Sequence, residues 1–119
     1  MDFTDKLDIL YARRSSEDGK DGESIENQVA LLKQYAADKG YYNIKVVTDD
    51  GYTGTNFNRP GFQEAFALIQ HRRVGRFIVK DLSRLGRNTI EVGQYIGVIF
   101  PRFGVEFISV HDGPESSDP

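Results

Sequence analysis

The sequence has no cysteine, and His71 and His111 are its only two histidines. Without thiols the chain cannot form a disulfide framework, a zinc ribbon or a thiolate nucleophile, and two histidines offer little from which to build a metal site. An apolar run long enough to cross a bilayer is also missing. We therefore expect oxygen and nitrogen chemistry without a metal or other cofactor, and no contact with a membrane. The amino-terminal residues begin acidic, unlike a signal peptide, so we expect a cytoplasmic protein.

Charge is distributed unevenly along the chain. The 119 residues carry a formal net charge of −3, with 39% hydrophobic and 28% charged residues, a composition typical of one globular domain. Six basic residues and one acidic residue, Asp81, lie in the basic segment, defined here as residues 71–87. A net negative chain is poorly suited to coating nucleic acid indiscriminately, so the sequence predicts local binding of anions.

Short β-type runs alternate with helical patterns along the sequence. We predict strands at 7–12, 43–47, 74–79 and 105–110, and helices at 24–39, from Pro60 onward, and from Asn88 to about residue 100. Strands separated by helices of this length pair mostly in parallel. The expected fold is an α/β domain over residues 1–110, with an open, mostly parallel sheet of four to five strands covered by helices on both faces. Residues 111–119 read as a polar tail.

Loops that leave the carboxyl ends of parallel strands share one rim, and ligands bind there. The first such loop, 13–23, contains Arg13 and Ser15. A serine in a loop more often only hydrogen-bonds its own turn. The third loop, 80–88, contains Arg84 and Arg87, which one helical turn would place on a common face as a clamp for a phosphate.

The arginines of the third loop also have a simpler interpretation, and the second loop contains further candidates. The arginine pair of the third loop could be solvated and paired with Asp81 or Glu91. In the second loop, 48–59, Pro60 holds Arg59 extended at a helix start. The Asp49–Asp50 pair could hold magnesium, although a polar turn is the better interpretation because no third acidic ligand is near in the sequence.

A hydroxyl and arginines from three segments on one rim favour phosphoryl transfer. In such reactions catalysis is mainly positioning and charge stabilisation, which arginines can provide. The general base is not identified, because neither histidine lies in these loops. Asp81 and the arginines are the candidates for lowering the pKa of the serine hydroxyl.

Four blocks in order carry a resemblance to a known family. They are Tyr11-Ala12-Arg13-Arg14-Ser15, Gly22 to Gln28 (GESIENQ), Asp50 to Gly54 (DGYTG) with Arg59 to Phe62 (RPGF), and Asp81 to Asn88 (DLSRLGRN). Together they resemble the catalytic domain of serine site-specific recombinases, most closely the large enzymes of conjugative transposons and phage integrases. The resemblance spans nearly the whole chain, from about Leu7 to Val110.

The resemblance implies a role for each matching residue. Ser15 would attack a DNA phosphodiester, become joined to the 5′-phosphate and release a 3′-hydroxyl, and Gln28 would support the site. Resolvases have an aspartate directly before the first arginine of the last block, where this chain has Ser83, with Asp81 two residues earlier; either could take the supporting role. The arginines that would hold the scissile phosphate are Arg13, Arg84 and Arg87, with Arg59 as a further active-site arginine.

The resemblance also implies partners. They are double-stranded DNA at specific recombination sites and further copies of the protein, as a dimer or tetramer of a longer chain that continues into a dimerisation helix and DNA-binding domains. The expected role is excision or integration of a mobile element, with little or no activity in the isolated fragment. Two alternatives stay open: a non-catalytic α/β phospholigand-binding or signalling module, suggested by Asp49, Asp50 and Lys80, and a degenerate recombinase that acts as a regulator. Arg13 and Ser15 stand where a phosphoacceptor receiver would have its acidic pair, which argues against the first.

Overall fold

Four strands form one open sheet in which every neighbouring pair is parallel. The computed structural model describes residues 6–15 and 23–112. The strands lie in the order β2-β1-β3-β4, which confirms the expected α/β fold with four strands. Their bounds are β1 Leu7–Arg14, β2 Ile44–Asp50, β3 Val74–Val79 and β4 Glu106–Ser109.

The helices begin and end at the signals that the sequence contains. The Ser24 hydroxyl accepts from the Asn27 amide at the start of α1, and Gly40, with φ of 78°, ends that helix. Asn88 caps α4 by accepting from the amides of residues 90 and 91. The third helix, α3, is a single turn that we did not predict. The helical segments are α1 Ile25–Lys39, α2 Pro60–Gln70, α3 Leu82–Leu85, α4 Thr89–Gln94, a π-helical turn Tyr95–Ile99, and α5 Phe100–Arg102.

Side chains alternate between the two faces of the sheet, and each face is covered by helices. On one face, Leu10 and Ile78 pack against Leu32 of α1. On the other, Tyr11 and its neighbours pack with Phe62 of α2 and with the first residue of α5. Because successive strand residues point to opposite faces, one period-2 pattern supplies both cores. The expected arrangement of helices on both faces is confirmed.

The strand order places a topological switch point between the carboxyl ends of β1 and β3, and we call this region the crevice. The chain leaves β1 toward β2 on one side, whereas it leaves β3 toward β4 on the other, so the connections diverge at the carboxyl ends of these two central strands. Ligands of open parallel sheets bind at such a switch point. Ser15 follows β1 and α3 follows β3, so the two chemistry-bearing segments flank this crevice.

Two strands are longer than predicted. Arg13 and Arg14, expected in a loop, lie in β1, and residues 48–50, also expected in a loop, lie in β2, where Arg13 is paired with Asp49 and Arg14 with Asp50. Main-chain pairing with β1 thus extends β2 beyond its apolar residues.

The predicted tail begins with two residues that stay attached to the domain. The amide of His111 donates to the Lys80 carbonyl (2.8 Å), and the Asp112 carboxylate accepts from the Leu82 amide (2.9 Å). Residues 113–119 of that tail, and residues 16–22 of the serine loop with Ser16 among them, lie outside the described residues. In the part of the chain that the structure describes, no helix combines the length and apolar character needed to span a bilayer.

Candidate active site

The end of β1 has no strand partner on its β3 side. The β1–β3 ladder stops at the pair Leu10–Ile78, while β1 continues along β2 to Arg14. The amide of Gln28 fills the gap: it accepts from the Arg13 N–H (3.2 Å) and donates to the Arg13 carbonyl (3.0 Å). A side-chain amide offers the same donor and acceptor as a peptide group. Gln28, completely buried in α1, therefore replaces the missing strand and satisfies a buried backbone.

Arg13 and Arg84 bind each other's main chain. Nη1 of Arg84 donates to the Arg13 carbonyl (3.0 Å), and Nε of Arg13 donates to the Arg84 carbonyl (3.2 Å). Arg13 is completely buried and Arg84 is 8% exposed. This exchange joins the end of β1 directly to α3, although the two residues are far apart in sequence.

The carbonyls of α3 are bound by two buried guanidinium groups. Those of Ser83 and Arg84 accept from Arg13, and those of Arg84 and Leu85 accept from Arg59, the last at 2.6 Å. The last carbonyls of any helix lack partners within it and carry partial negative charge, which favours cations there. A four-residue helix cannot stabilise itself, so these two arginines hold α3 in place.

Arg59 lies in the interior, not at the surface of the rim. Its backbone is extended, with φ of −132° and ψ of 129°, as predicted from Pro60. Its side chain is 1% exposed, donates to the Tyr11 hydroxyl (3.0 Å), and lies 4.7 Å from the ring centre of Phe57. We expected this arginine to face a ligand from the second loop; the structure directs it instead to main-chain oxygens and aromatic rings.

Asp49 caps helix α2. Its carboxylate accepts from the amides of Gly61 (2.7 Å) and Phe62 (2.9 Å) and from the Tyr11 hydroxyl (2.7 Å). Burial raises the pKa of Tyr11 well above its usual range, so this phenol stays protonated and keeps donating. The polar turn that we preferred for Asp49 is wrong, since the residue lies in β2 and is 2% exposed.

Neither interpretation of the Asp49–Asp50 pair as a ligand site gains support. Among residues 6–15 and 23–112, no group of three or more His, Asp or Glu side chains is placed to hold a metal ion. The carboxylate on which the magnesium and phosphoacceptor interpretations depend is engaged by a helix N-terminus and a phenol.

Ser15 lies directly after β1 at the crevice and is 3% exposed. Its Cα is at most about 7.6 Å from that of Arg13, because consecutive Cα atoms are ~3.8 Å apart. The Arg13 carbonyl is the group that Nη1 of Arg84 binds. The serine and this guanidinium, predicted to meet from separate loops, therefore lie on the same side of the molecule.

Arg87 is placed differently from Arg84. Helix α3 ends at Leu85, so the turn that would have put both guanidinium groups on one face stops short of Arg87. Arg87 is exposed, and its main-chain amide donates to the Gly54 carbonyl (2.8 Å). A Cβ on Gly54 would lie 2.7 Å from Nη2 of Arg13, so a larger residue here would require the Arg13 guanidinium to shift. The second and third loops are thereby tied together beside Arg13.

Asp81 and Ser83 act together at the start of α3. The Asp81 carboxylate accepts from both the amide and the hydroxyl of Ser83, and lies 3.9 Å from Nε of Arg84. An aspartate at this position is a typical N-cap. The two residues between which the resemblance left a choice thus form one hydrogen-bonded unit next to Arg84.

The basic segment is divided between the two ends of the sheet. Residues 72, 73 and 76 lie at or near the start of β3, where Arg76 forms an ion pair with Asp8 (3.2 Å), and Lys80 is paired with Glu23. Only the two arginines that follow β3 lie at the crevice. A count of charges along the sequence therefore overstates the positive charge at the site.

Three residues that organise the site have contacts that we did not predict from the sequence: Tyr11, Asp49 and Asp112. For Asp49 a signal exists, because continuing the period-2 alternation of β2 beyond Val47 points this residue inward. For Tyr11 the same alternation predicts burial but not its partners. For Asp112 no local pattern indicates a contact with α3.

Comparison with known proteins agrees with the fold. The family model for the Resolvase, N terminal domain matches residues 9–119. The crystal structure of the N-terminal catalytic domain of TP901-1 integrase is similar over 90% of this chain and 78% of that chain, with 27% identity and a TM-score of 0.78. The C-terminal catalytic domain of ISC1926 TnpA, an IS607-like serine recombinase, is 32% identical over 87% of this chain and 67% of its own, with a TM-score of 0.71. A serine recombinase from Sulfolobus solfataricus is 30% identical over 88% and 67%, with a TM-score of 0.68.

Proposed function

Because the chain belongs to the Resolvase N-terminal domain family and is a serine recombinase catalytic domain, we propose that Ser15 is the residue with which it cleaves and rejoins DNA. The observation that supports this most directly is the exchange of hydrogen bonds between Arg13 and Arg84, which brings a guanidinium group beside the strand end that carries the serine. The substrate is double-stranded DNA at a specific site.

The reaction replaces one phosphate ester by another. The Ser15 oxygen bonds to phosphorus, the bond from phosphorus to the 3′-oxygen breaks, and the serine proton is lost while the leaving oxygen gains one. The product is a 5′-phosphoserine ester and a free 3′-hydroxyl, and the reverse step with a new 3′-hydroxyl rejoins the strands. No net hydrolysis occurs, so the energy of the phosphodiester is kept.

We assign two different roles to the four arginines. Arg84, at the edge of the crevice, and Arg87, exposed beside it, are the groups that would neutralise the phosphate as charge develops on its oxygens. Arg13 and Arg59 act through α3: each donates to two of its carbonyls, and these hydrogen bonds hold Arg84 in position. Gln28 supports the same strand end from α1.

The domain would act within a longer protein. We infer that this protein works as a dimer or tetramer that cuts and exchanges strands at the ends of a mobile element, and that the 119-residue chain alone has little or no activity. The recombinase matches are catalytic domains that this chain covers by 67% to 78%.

Substitution of Ser15 tests the proposal. In the full recombinase that carries this domain, Ser15→Ala should abolish covalent protein–DNA adducts, seen as a slower band on a denaturing gel, while leaving binding to the recombination site intact. Ser24→Ala is a matched control, since it removes a hydroxyl that caps α1 instead. Mass spectrometry of the digested adduct should place the phosphate on residue 15. Adducts that persist in Ser15→Ala, or that map to another side chain, would rule the assignment out.

A further inference from the structure

The chain leaves β4 along the end of β3 and reaches the arginine-bearing turn. The amide of Val110 donates to the Val79 carbonyl (3.0 Å), and that of His111 to the Lys80 carbonyl (2.8 Å). The next residue, Asp112, receives a hydrogen bond from the hydroxyl of Ser109, a side chain that is 2% exposed. This orients the Asp112 carboxylate toward α3.

The same carboxylate oxygen accepts from the Leu82 amide (2.9 Å), the first N–H of α3. The next amide, that of Ser83, is bound by Asp81 (3.1 Å). The first amides of a helix have no partners within it and carry partial positive charge, so carboxylates stabilise them. Two carboxylates thus hold one end of α3, as Arg13 and Arg59 hold the other.

We propose that Asp112 is a positioning residue of this recombinase domain: by holding the first amide of α3, it keeps Arg84 beside Ser15. The path is short, since Arg84 lies two residues after Leu82 and its guanidinium binds the Arg13 carbonyl (3.0 Å). Because Asp112 lies in the segment through which the chain leaves the sheet, the placement of Arg84 depends on how that segment is held. This inference rests on the proposed function of Ser15 and Arg84.

Three variants test the proposal in the full recombinase. Asp112→Ala removes the acceptor, whereas Asp112→Asn keeps an oxygen that can accept from both Leu82 and Ser109. Asp38→Ala is the matched control: Asp38 is exposed on α1 and accepts one side-chain hydrogen bond, from Gln34 (2.9 Å).

We expect Asp112→Ala to slow adduct formation at saturating DNA about five- to tenfold, the loss that fits removal of a helix cap, with DNA affinity changed less than about twofold. Asp112→Asn should recover most of the rate, and Asp38→Ala should cleave normally. A purely structural defect would not be rescued in this pattern. Normal cleavage by Asp112→Ala, equal losses in the control, or no recovery in Asp112→Asn would each overturn the proposal.

A second measurement needs no DNA. In the 119-residue chain labelled with ¹⁵N, Asp112→Ala should shift the amide proton of Leu82 upfield and move the Nε–H signal of Arg84, whereas Asp38→Ala should move neither. Unchanged signals would overturn the positioning role by themselves. If Ser15→Ala still formed adducts while these signals shifted as expected, the proposed function would fall and the contact through Asp112 would stand.

Discussion

Replacing Gln28 by alanine should destabilise the domain far more than the same change elsewhere on α1. The Gln28 amide makes three hydrogen bonds, with the Arg13 N–H (3.2 Å), the Arg13 carbonyl (3.0 Å) and the Glu23 carbonyl (3.0 Å). In Gln28→Ala the Arg13 carbonyl keeps Arg84 as a donor, but the buried Arg13 N–H loses the acceptor that Gln28 supplies.

The magnitude follows from these contacts. A buried N–H left without an acceptor costs about 1–3 kcal/mol, and loss of the hydrogen bond to Glu23 adds about 1 kcal/mol, or less where water can reach the carbonyl. We therefore expect the free energy of unfolding to fall by about 3 kcal/mol. For a domain of this size about 1 kcal/mol corresponds to roughly 4 °C, so the midpoint of thermal unfolding should fall by roughly 12 °C.

Circular dichroism during heating of the 119-residue chain measures this shift. Gln34→Ala is the control: Gln34 has the same side chain on the same helix but is exposed and donates a hydrogen bond to Asp38. Its loss should cost less than about 0.5 kcal/mol. Similar midpoints for the two variants would show that the end of β1 does not depend on the Gln28 amide, and the account of how Arg13 is held would be wrong.

Two further predictions concern stability. Gly61→Ala should destabilise the fold by about 2 kcal/mol, since its Cβ would lie 2.6 Å from the Thr48 carbonyl. Gly93→Ala should stabilise the fold by up to about 1 kcal/mol, since among the described residues its Cβ would meet nothing within 4 Å beyond its own helix backbone. Urea unfolding measures both changes, and equal effects would contradict this difference in packing between the two glycines. Burial raises the pKa of Tyr11, so folding stability should fall as pH rises past about 10, where only the unfolded chain ionises this phenol. In Tyr11→Phe this part of the decrease in stability above pH 10 should be absent. If urea unfolding at several pH values gave the same dependence of stability on pH for Tyr11→Phe and the unchanged chain, the prediction would be wrong.

The layers of the fold could be predicted because they follow from periodicity. Strand β3 has the predicted bounds, Val74–Val79, since its apolar residues, interrupted only by Gly75 and Arg76, are followed by the charged pair at 80 and 81. The longer extent of β2 could not be read from composition, because Thr48 and Asp50 are polar and exposed. What keeps them in the strand is pairing with β1, which a scan for apolar residues does not detect.

The site could be predicted only in part. That Ser15 and Arg84 lie at the same edge of the sheet followed from the rule that loops leaving the carboxyl ends of parallel strands share one rim. That Arg59 is buried did not follow from the sequence. Its guanidinium donates to the nearby Asn56 carbonyl, but its other acceptors, on Tyr11 and on α3, are distant in the sequence. Helix propensity could not predict α3, because a single isolated turn is unstable. It is held largely by groups distant in the sequence, Asp112 at its start and Arg13 and Arg59 at its end.

The burial of Arg13 and Arg59, each at most 1% exposed, limits what these two arginines can do in the reaction. The guanidinium of Arg13 has its Nε, Nη1 and Nη2 directed at carbonyls of residues 84, 52 and 83, and withdrawing it toward a phosphate would leave those oxygens without these donors. Losing several hydrogen bonds in a buried site would raise the free energy by about as much as a contact with phosphate would lower it. Arg87 is exposed and faces a smaller cost, and the Arg13 carbonyl that Nη1 of Arg84 binds would keep Gln28 as a donor if Arg84 moved. We therefore propose that Arg84 and Arg87 contact the scissile phosphate, while Arg13 and Arg59 hold the turn that carries Arg84.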